Sequence, residues 1–459
     1  MLDILVMPLF AGIRMDAALR RNQPPETPRR TPINGGANPF ARFFPTGGHL
    51  MAGQPTTRLR ITRDRTTISL FAFFCAFGWF MLGFSPAVPL IAAELQISNG
   101  VAALLGPALA GGMLGGALLI SPVTAWLGRR RVFFIASLIL TIGLFGLFIS
   151  TAFNTTLVAT FVAALGAESI AASLLPGLAI HHGPAAPAAL SEGAALAAIA
   201  GLVAPLAVGF SVSSGIGWQV GVGCTVVLLA IANGLLATVR GGTTLDGRKP
   251  TPEARESGSG RFTPQFWLIW VACISGIALE FSILFWVPAL FAERAGMDLA
   301  VATSAASALV LGELVSRFAA SRLSLHLPVR SLLFIAFGVT ALGWLTLWLA
   351  TVPWLAIAGL FVAGLGIGPL QPLTASTLYL KATGRETVAQ ARVSIAQALA
   401  IGVFPFVLGG MSDVVGTFYA FLVIPVLVLL GAATVAVGTR ADAAQVATLT
   451  PEVSSGEVR

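Results

Sequence analysis

From about residue 67 onward the chain alternates long apolar runs with short polar breaks. Twelve runs stand out, at 67–93, 99–121, 131–152, 155–180, 188–212, 217–239, 264–292, 299–321, 329–351, 353–379, 387–411 and 415–438. Each holds ~20 residues or more, which at 1.5 Å per residue is the length a ~30 Å hydrocarbon core demands. In lipid such segments must satisfy their backbone internally, so the pattern predicts α-helices. The expected fold is an all-α integral membrane protein with twelve transmembrane helices. The runs split six and six around a polar, Gly/Pro-bearing stretch, residues 240–263. The expected organisation is a basic N-terminal arm (1–66), a first six-helix half (67–239), a linker (240–263), a second half (264–438) and a tail (439–459).

The two halves repeat. Phe161-Val-Ala-Ala-Leu-Gly166 returns as Phe361-Val-Ala-Gly-Leu-Gly366. Pro205 and Gly209 match Pro405 and Gly409, and Phe134-Ile135-Ala136 matches Phe334-Ile335-Ala336. Val88-Pro89 with Ala93-Glu94 matches Val287-Pro288 with Ala292-Glu293. A near-constant offset across separate stretches indicates an internal duplication of two membrane halves in the same orientation.

Composition agrees: 56% of residues are hydrophobic and 10% charged, with a mean hydropathy of +0.87. Soluble domains carry about 25% charged residues. Cys75, Cys224 and Cys273 all fall inside apolar runs and suit packing rather than a disulfide framework. The four histidines have no metal-ligand spacing, and no cofactor is expected. The net charge of +8 would suit nucleic acid in a soluble protein. Here it reflects basic cytoplasmic loops, and no nucleic-acid partner is expected. With the N-terminus inside, 26 of the 27 Lys and Arg residues fall on the cytoplasmic side, leaving only Arg294 outside. Both termini and the linker are therefore expected in the cytoplasm, in a plasma (inner) membrane protein. Residues 1–66 hold ten arginines and read as a disordered arm, and no signal-peptide pattern fits the opening residues.

Twelve spans, a duplication and internal termini resemble the major facilitator superfamily. That family carries a Gly-x-x-x-Asp-x-x-Gly-x-Arg-Arg/Lys signature between spans 2 and 3. Here the stretch runs from Ser121 to Arg131, and Gly128, Arg130 and Arg131 match, beside Arg129. Ser121 and Ala125 replace the first Gly and the Asp, so the family's loop carboxylate is missing. Pro86 to Glu94 also looks like the family's first span. Pro205 with Gly209 partly resembles a Gly/Pro motif of its antiporters. The resemblance implies a cavity between the halves that opens alternately to each side. Spans 1, 4, 7 and 10 would line it, spans 2, 5, 8 and 11 would meet across the halves, and the others would lie outside.

Charges inside hydrocarbon are costly and therefore informative. Glu168 lies ~13 residues into span 4 and Glu280 ~16 residues into span 7, both near mid-depth at 1.5 Å per residue. Neither has a Lys or Arg within one turn. Desolvation favours the neutral form of such a carboxyl, which can then trade a proton. A protonated Glu bonded to a helix carbonyl would look the same in sequence. Glu192 and Arg392 occupy equivalent positions on spans 5 and 11, and Glu313 with Arg317 can pair along span 8. These four are candidates for a cytoplasmic gate, with Glu192–Arg317 as a bridge between halves; snorkelling surface charges are the alternative. Trp79, Trp286, Gln371 and Thr374 are cavity-lining candidates.

The expected function is secondary transport of a small organic solute, coupled to protons, by a monomer embedded in the lipid bilayer. The chain contains no Gly-x-x-x-x-Gly-Lys-Ser/Thr loop for primary transport. A membrane-embedded enzyme would need clustered catalytic groups; His181-His182 has no acid nearby in the sequence. A non-transporting sensor would usually carry a folded extramembrane domain.

Overall fold

The computed structural model describes residues 63–182, 185–239, 262–324, 326–382 and 386–439. Most of the arm, the linker and the tail, together with Arg385, lie outside the described residues. The described residues form twelve helices long and apolar enough to cross a membrane. In the first half these are α1 (Arg65–Leu95), α2 (Asn99–Ile120), α3 (Arg129–Ile149), α4 (Phe153–His182), α5 (Ala189–Ser213) and α6 (Trp218–Thr238). In the second they are α7 (Pro264–Ala295), α8 (Leu299–Leu323), α9 (Val329–Leu349), α10 (Pro353–Lys381), α11 (Val388–Val415) and α12 (Thr417–Gly438).

Polar caps fix where several helices open. Asp64 accepts from Thr67 N to open α1, Thr263 from Phe266 N to open α7, and Asp298 from Ala300 N to open α8. Five of the described spans, α1, α2, α8, α10 and α12, are not continuous, and two of the breaks involve prolines. A 3₁₀ turn at Ser85–Ala87 interrupts α1 beside Pro86 and Pro89, and α10 breaks between Ile367 and Leu370. The break has a plain cause. Pro372 has no N–H to give the carbonyl of Gly368 four residues earlier, and Pro369 likewise fails Leu365.

The duplication is visible as geometry. In the first half α4 packs on α2 and α3; in the second α10 packs on α8 and α9. The Phe161–Gly166 repeat supplies both seams. A Cβ at Gly112 would lie 2.3 Å from the Phe161 carbonyl oxygen, and one at Gly312 would lie 2.3 Å from that of Phe361. Gly143 and Gly343 meet the backbone of Ala163 and Ala363 in the same way. Only a hydrogen fits at these crossings, which is how membrane helices with little hydrophobic drive gain packing contact. The outward faces stay apolar: α3 exposes Leu138, Ile142, Phe145 and Ile149, a lipid-facing stripe at helical spacing.

The halves meet where α2 packs on α11 and α5 on α8. The end at which odd-numbered helices begin carries the arginine-rich loops and is called the basic end; the other is the far end. Cross-half bonds close the far end. Asn99 Nδ2 donates to Ser412 Oγ (3.0 Å), Gly100 N to Asp413 Oδ2 (2.8 Å) and Ser307 Oγ to Leu202 O (2.8 Å). Gly209 and Gly409, one repeat apart, sit in these two seams. A Cβ at Gly209 would lie 2.4 Å from Ala300 O on α8, and one at Gly409 would lie 2.5 Å from Ala103 Cβ on α2.

Candidate functional site

Between the halves lies a cavity of about 710 Å³. Its lining comes from the middle and basic-side parts of α1, α2, α4, α5, α7, α8, α10 and α11, so it opens away from the sealed far end. Helices α3, α6, α9 and α12 contribute nothing to this lining, in line with the expected arrangement. The surprise is the share supplied by α5 and α11. Ala194, Ala197 and Ala198 of α5 and Gln390, Ser394 and Gln397 of α11 line the cavity.

Glu168, Glu280, Arg317 and Gln371 all line the cavity. Glu280 does not stand alone, as the sequence suggested. It lies within the electrostatic reach of Arg317 and Glu313 on the neighbouring helix. Arg317 Nη2 donates to Glu313 Oε2 at 3.1 Å, while Glu313, only 1% exposed, leaves its Oε1 without a partner. Arg317 Nε donates to Gly368 O at 3.1 Å, the carbonyl that Pro372 leaves without a helical donor. One guanidinium thus joins α8 to the break in α10 within electrostatic reach of Glu280 on α7.

Glu168 is placed differently. Its wall is made by Phe74, Phe77, Met81 and Leu82 of α1 and Leu175 and Pro176 of α4. Among the described residues it makes no hydrogen bond or ion pair. A niche of about 10 Å³ beside it, lined by Met113, Leu114, Ser394 and Gln397, is the size of one water molecule.

Three cavity-lining candidates lie elsewhere. Trp79 turns its indole to α6, donating to Gly221 O at 2.9 Å. Trp286 is 0% exposed and donates to Pro405 O at 2.8 Å under the far-end seam. Thr374 is 0% exposed and bonds back to Leu370 O of its own helix. In each case a polar atom in an apolar bundle is satisfied by a neighbouring carbonyl. Conversely, Gln390, Ser394 and Gln397 of α11 line the cavity without having been singled out. Their spacing of four and three residues marks one polar face on an otherwise apolar helix, a signal that was present in the sequence. Gln390 accepts from Tyr379 Oη of α10.

The gate candidates do not bridge the halves in this conformation. Glu192 pairs with Arg63 at 2.9 Å, just before α1. Arg392 lies over the Trp267 ring at 5.8 Å, and its carbonyl accepts from Trp270. Arg317 is held by Glu313 as above. In the loop between α2 and α3, Gly128 takes a left-handed φ of +81° that lets the two helices turn without a Cβ clash. Arg130 Nη2 reaches the carbonyls of Leu236 and Ala237 at 3.3 and 3.4 Å, tying the loop to the C-terminus of α6. Arg129 is half-buried beside it with its Nε unpartnered, and Arg131 is exposed. No group of three or more His, Cys, Asp or Glu that could hold a metal occurs among the described residues.

Comparison with known proteins closes the question of kinship. No curated protein matches the sequence. Among solved structures, a bacterial homolog to the human lysosomal transporter Spinster, inward-facing and unoccupied, is 15% identical with a TM-score of 0.63, covering 83% of this chain and 98% of its own. The nucleoside transporter NupG is 12% identical, with a TM-score of 0.65 and coverage of 82% and 98%. A D-xylose-proton symporter is 16% identical, with a TM-score of 0.63 and coverage of 82% and 97%. At these identities the likeness is one of fold. The sequence profile of the Major Facilitator Superfamily matches residues 68–387, well over half of the chain. The chain is a multi-pass membrane transporter protein of the major facilitator superfamily.

Proposed function

We propose that the protein is a proton-coupled secondary transporter of a small organic solute, working by alternating access with its termini in the cytoplasm. The conformation described is the one open to the cytoplasm, with the extracytoplasmic side sealed by the α2–α11 and α5–α8 seams. The Arg317 cluster carries the reading. It places two carboxylates and a guanidinium at mid-depth, between the cavity and the break in α10.

Around Arg317 there is one fixed positive charge and there are two carboxylates, Glu280 and Glu313. With both ionised, the cluster carries a net negative charge that must cross a low-dielectric environment whenever the halves rock. An isolated charge at the bilayer centre costs roughly 2.5–3.5 kcal/mol on insertion scales. A proton taken up on the cavity side, at Glu280, balances the cluster. Released on the other side, it leaves the cluster unbalanced and biases the return. Glu313 serves as the fixed counter-ion. A D-xylose-proton symporter among the structural neighbours supports the coupling ion, and the gathering of Lys and Arg at the basic end, with Arg294 alone at the far end, supports the orientation. Purified protein in liposomes should accumulate its solute when a pH difference is imposed. Accumulation that persists in full with a protonophore present would count against the reading.

A further inference from the structure

The two walls of the cavity differ in chemistry. The second half presents Glu280, Arg317, Gln371, Gln390, Ser394 and Gln397 beside two apolar side chains, Ile277 and Phe281, and its guanidinium is already engaged by Glu313 and Gly368. The first half presents aromatic and aliphatic surface broken by a single ionisable group, Glu168. No Lys, Arg or His of the first half lines the cavity, and Glu168 has no partner among the described residues. Its oxygens are not sealed in the helix bundle; the residue lines both the main cavity and the water-sized niche beside it.

Resting on the reading of this cavity as the transport site, we propose that the solute is an amphipathic organic cation. Its ammonium sits on Glu168, its apolar or aromatic body lies against Phe74, Phe77 and Met81, and any hydrogen-bonding end points to Gln371, Gln390 and Gln397.

Three arguments converge. A carboxylate facing an apolar cavity is uncompensated until a positive charge arrives, and a solute cation supplies that charge together with a charge-assisted hydrogen bond. An anionic solute would meet Glu168 and Glu280 across the cavity, with the only lining cation already committed to other partners. A polyhydroxylated solute such as a sugar needs hydrogen-bonding groups on both sides, and the α1 face offers rings and thioether instead. The volume of about 710 Å³ lies within the range of small-molecule sites and admits a solute with one or two rings.

The test is equilibrium binding to the purified full-length protein of benzyltrimethylammonium, its uncharged isostere neopentylbenzene and the anion 3-phenylpropionate. The cation should bind saturably, and the isostere and the anion at least ~10-fold more weakly, because neither brings a positive charge to Glu168. Glu168→Gln should weaken cation binding by a similar factor, and Glu168→Asp should restore part of it. Equal binding of cation and isostere, preference for the anion, or an unchanged affinity in Glu168→Gln at full thermal stability would each overturn the assignment. Because binding needs no proton gradient, failure here is distinct from failure of proton coupling.

Discussion

Adding a methyl group at Gly209 or Gly409 should drive the halves apart at the far end. Both glycines lie in seams that exist only while that end is closed. At Gly209 the new Cβ would fall 1.9 Å from Ser304 Oγ and 2.4 Å from Ala300 O. The hydroxyl can rotate away but the backbone carbonyl cannot. At Gly409 it would fall 2.4 Å from Trp286 Cζ2 and 2.5 Å from Ala103 Cβ, and the indole is pinned by its bond to Pro405 O. Overpacking of this kind costs about 1–3 kcal/mol. Since the cost falls on one conformation, it appears as a shift of ~5- to 150-fold in the equilibrium between conformations. Spin labels at Ile216, 60% exposed, and Val414, 83% exposed, lie at the far end on opposite halves and would report the change by pulsed electron-spin distance measurement. Gly209→Ala and Gly409→Ala should each enlarge the long-distance population. Gly143→Ala is the control: its Cβ would strike Ala163 N at 2.3 Å within one half, so it should lower stability without moving the distribution. Distances unchanged in both seam variants, or shifted equally by the control, would refute the reasoning.

Two further outcomes are expected. Burial opposes ionisation of Asp64, yet bonds from Thr67 N (2.9 Å) and Thr67 Oγ1 (2.7 Å) and the nearby His181 outweigh it, holding this carboxyl below its usual 3.8. A depressed carboxyl stabilises fully above its unfolded value and loses the effect as pH falls through its folded value. Asp64→Ala should therefore cost about 0.5–2 kcal/mol as a lost N-cap at neutral pH, and the difference in melting from the parent protein should shrink only below pH 3.8. A gap unchanged at still lower pH would contradict the capping account. A cysteine placed at position 250 should resist impermeant thiol reagents in intact cells, and labelling there would reverse the proposed orientation.

The spans were legible because length and hydropathy are nearly sufficient to define a membrane helix: α7 begins at Pro264 and α9 at Val329, as the apolar runs do. The repeat was legible because duplicated seams keep duplicated glycines. The site was legible only in part. A lone Glu in an apolar run announces itself, so Glu168 and Glu280 could be found. What the sequence does not carry is the direction in which a residue points around its helix. Trp79, Trp286 and Thr374 have the composition of cavity residues, yet the two indoles point at carbonyls of packed helices and the Thr374 hydroxyl at one of its own helix. Nor does it carry contacts between helices, so the link from Glu280 to Arg317, and from Arg317 to the carbonyl exposed by Pro372, appears only in three dimensions. The uncharged face Gln390–Ser394–Gln397 was readable from spacing but is less conspicuous than a charge.

The central claim is that Glu280 carries the coupled proton, and transport by Glu280→Gln in liposomes tests it most directly. Accumulation against a gradient and counterflow exchange would be measured side by side with the parent protein. The account predicts that accumulation driven by an imposed pH difference is lost while exchange of labelled for unlabelled solute survives, because exchange need not release the proton. A Glu280→Gln protein that still concentrates its solute with unaltered pH dependence would contradict it.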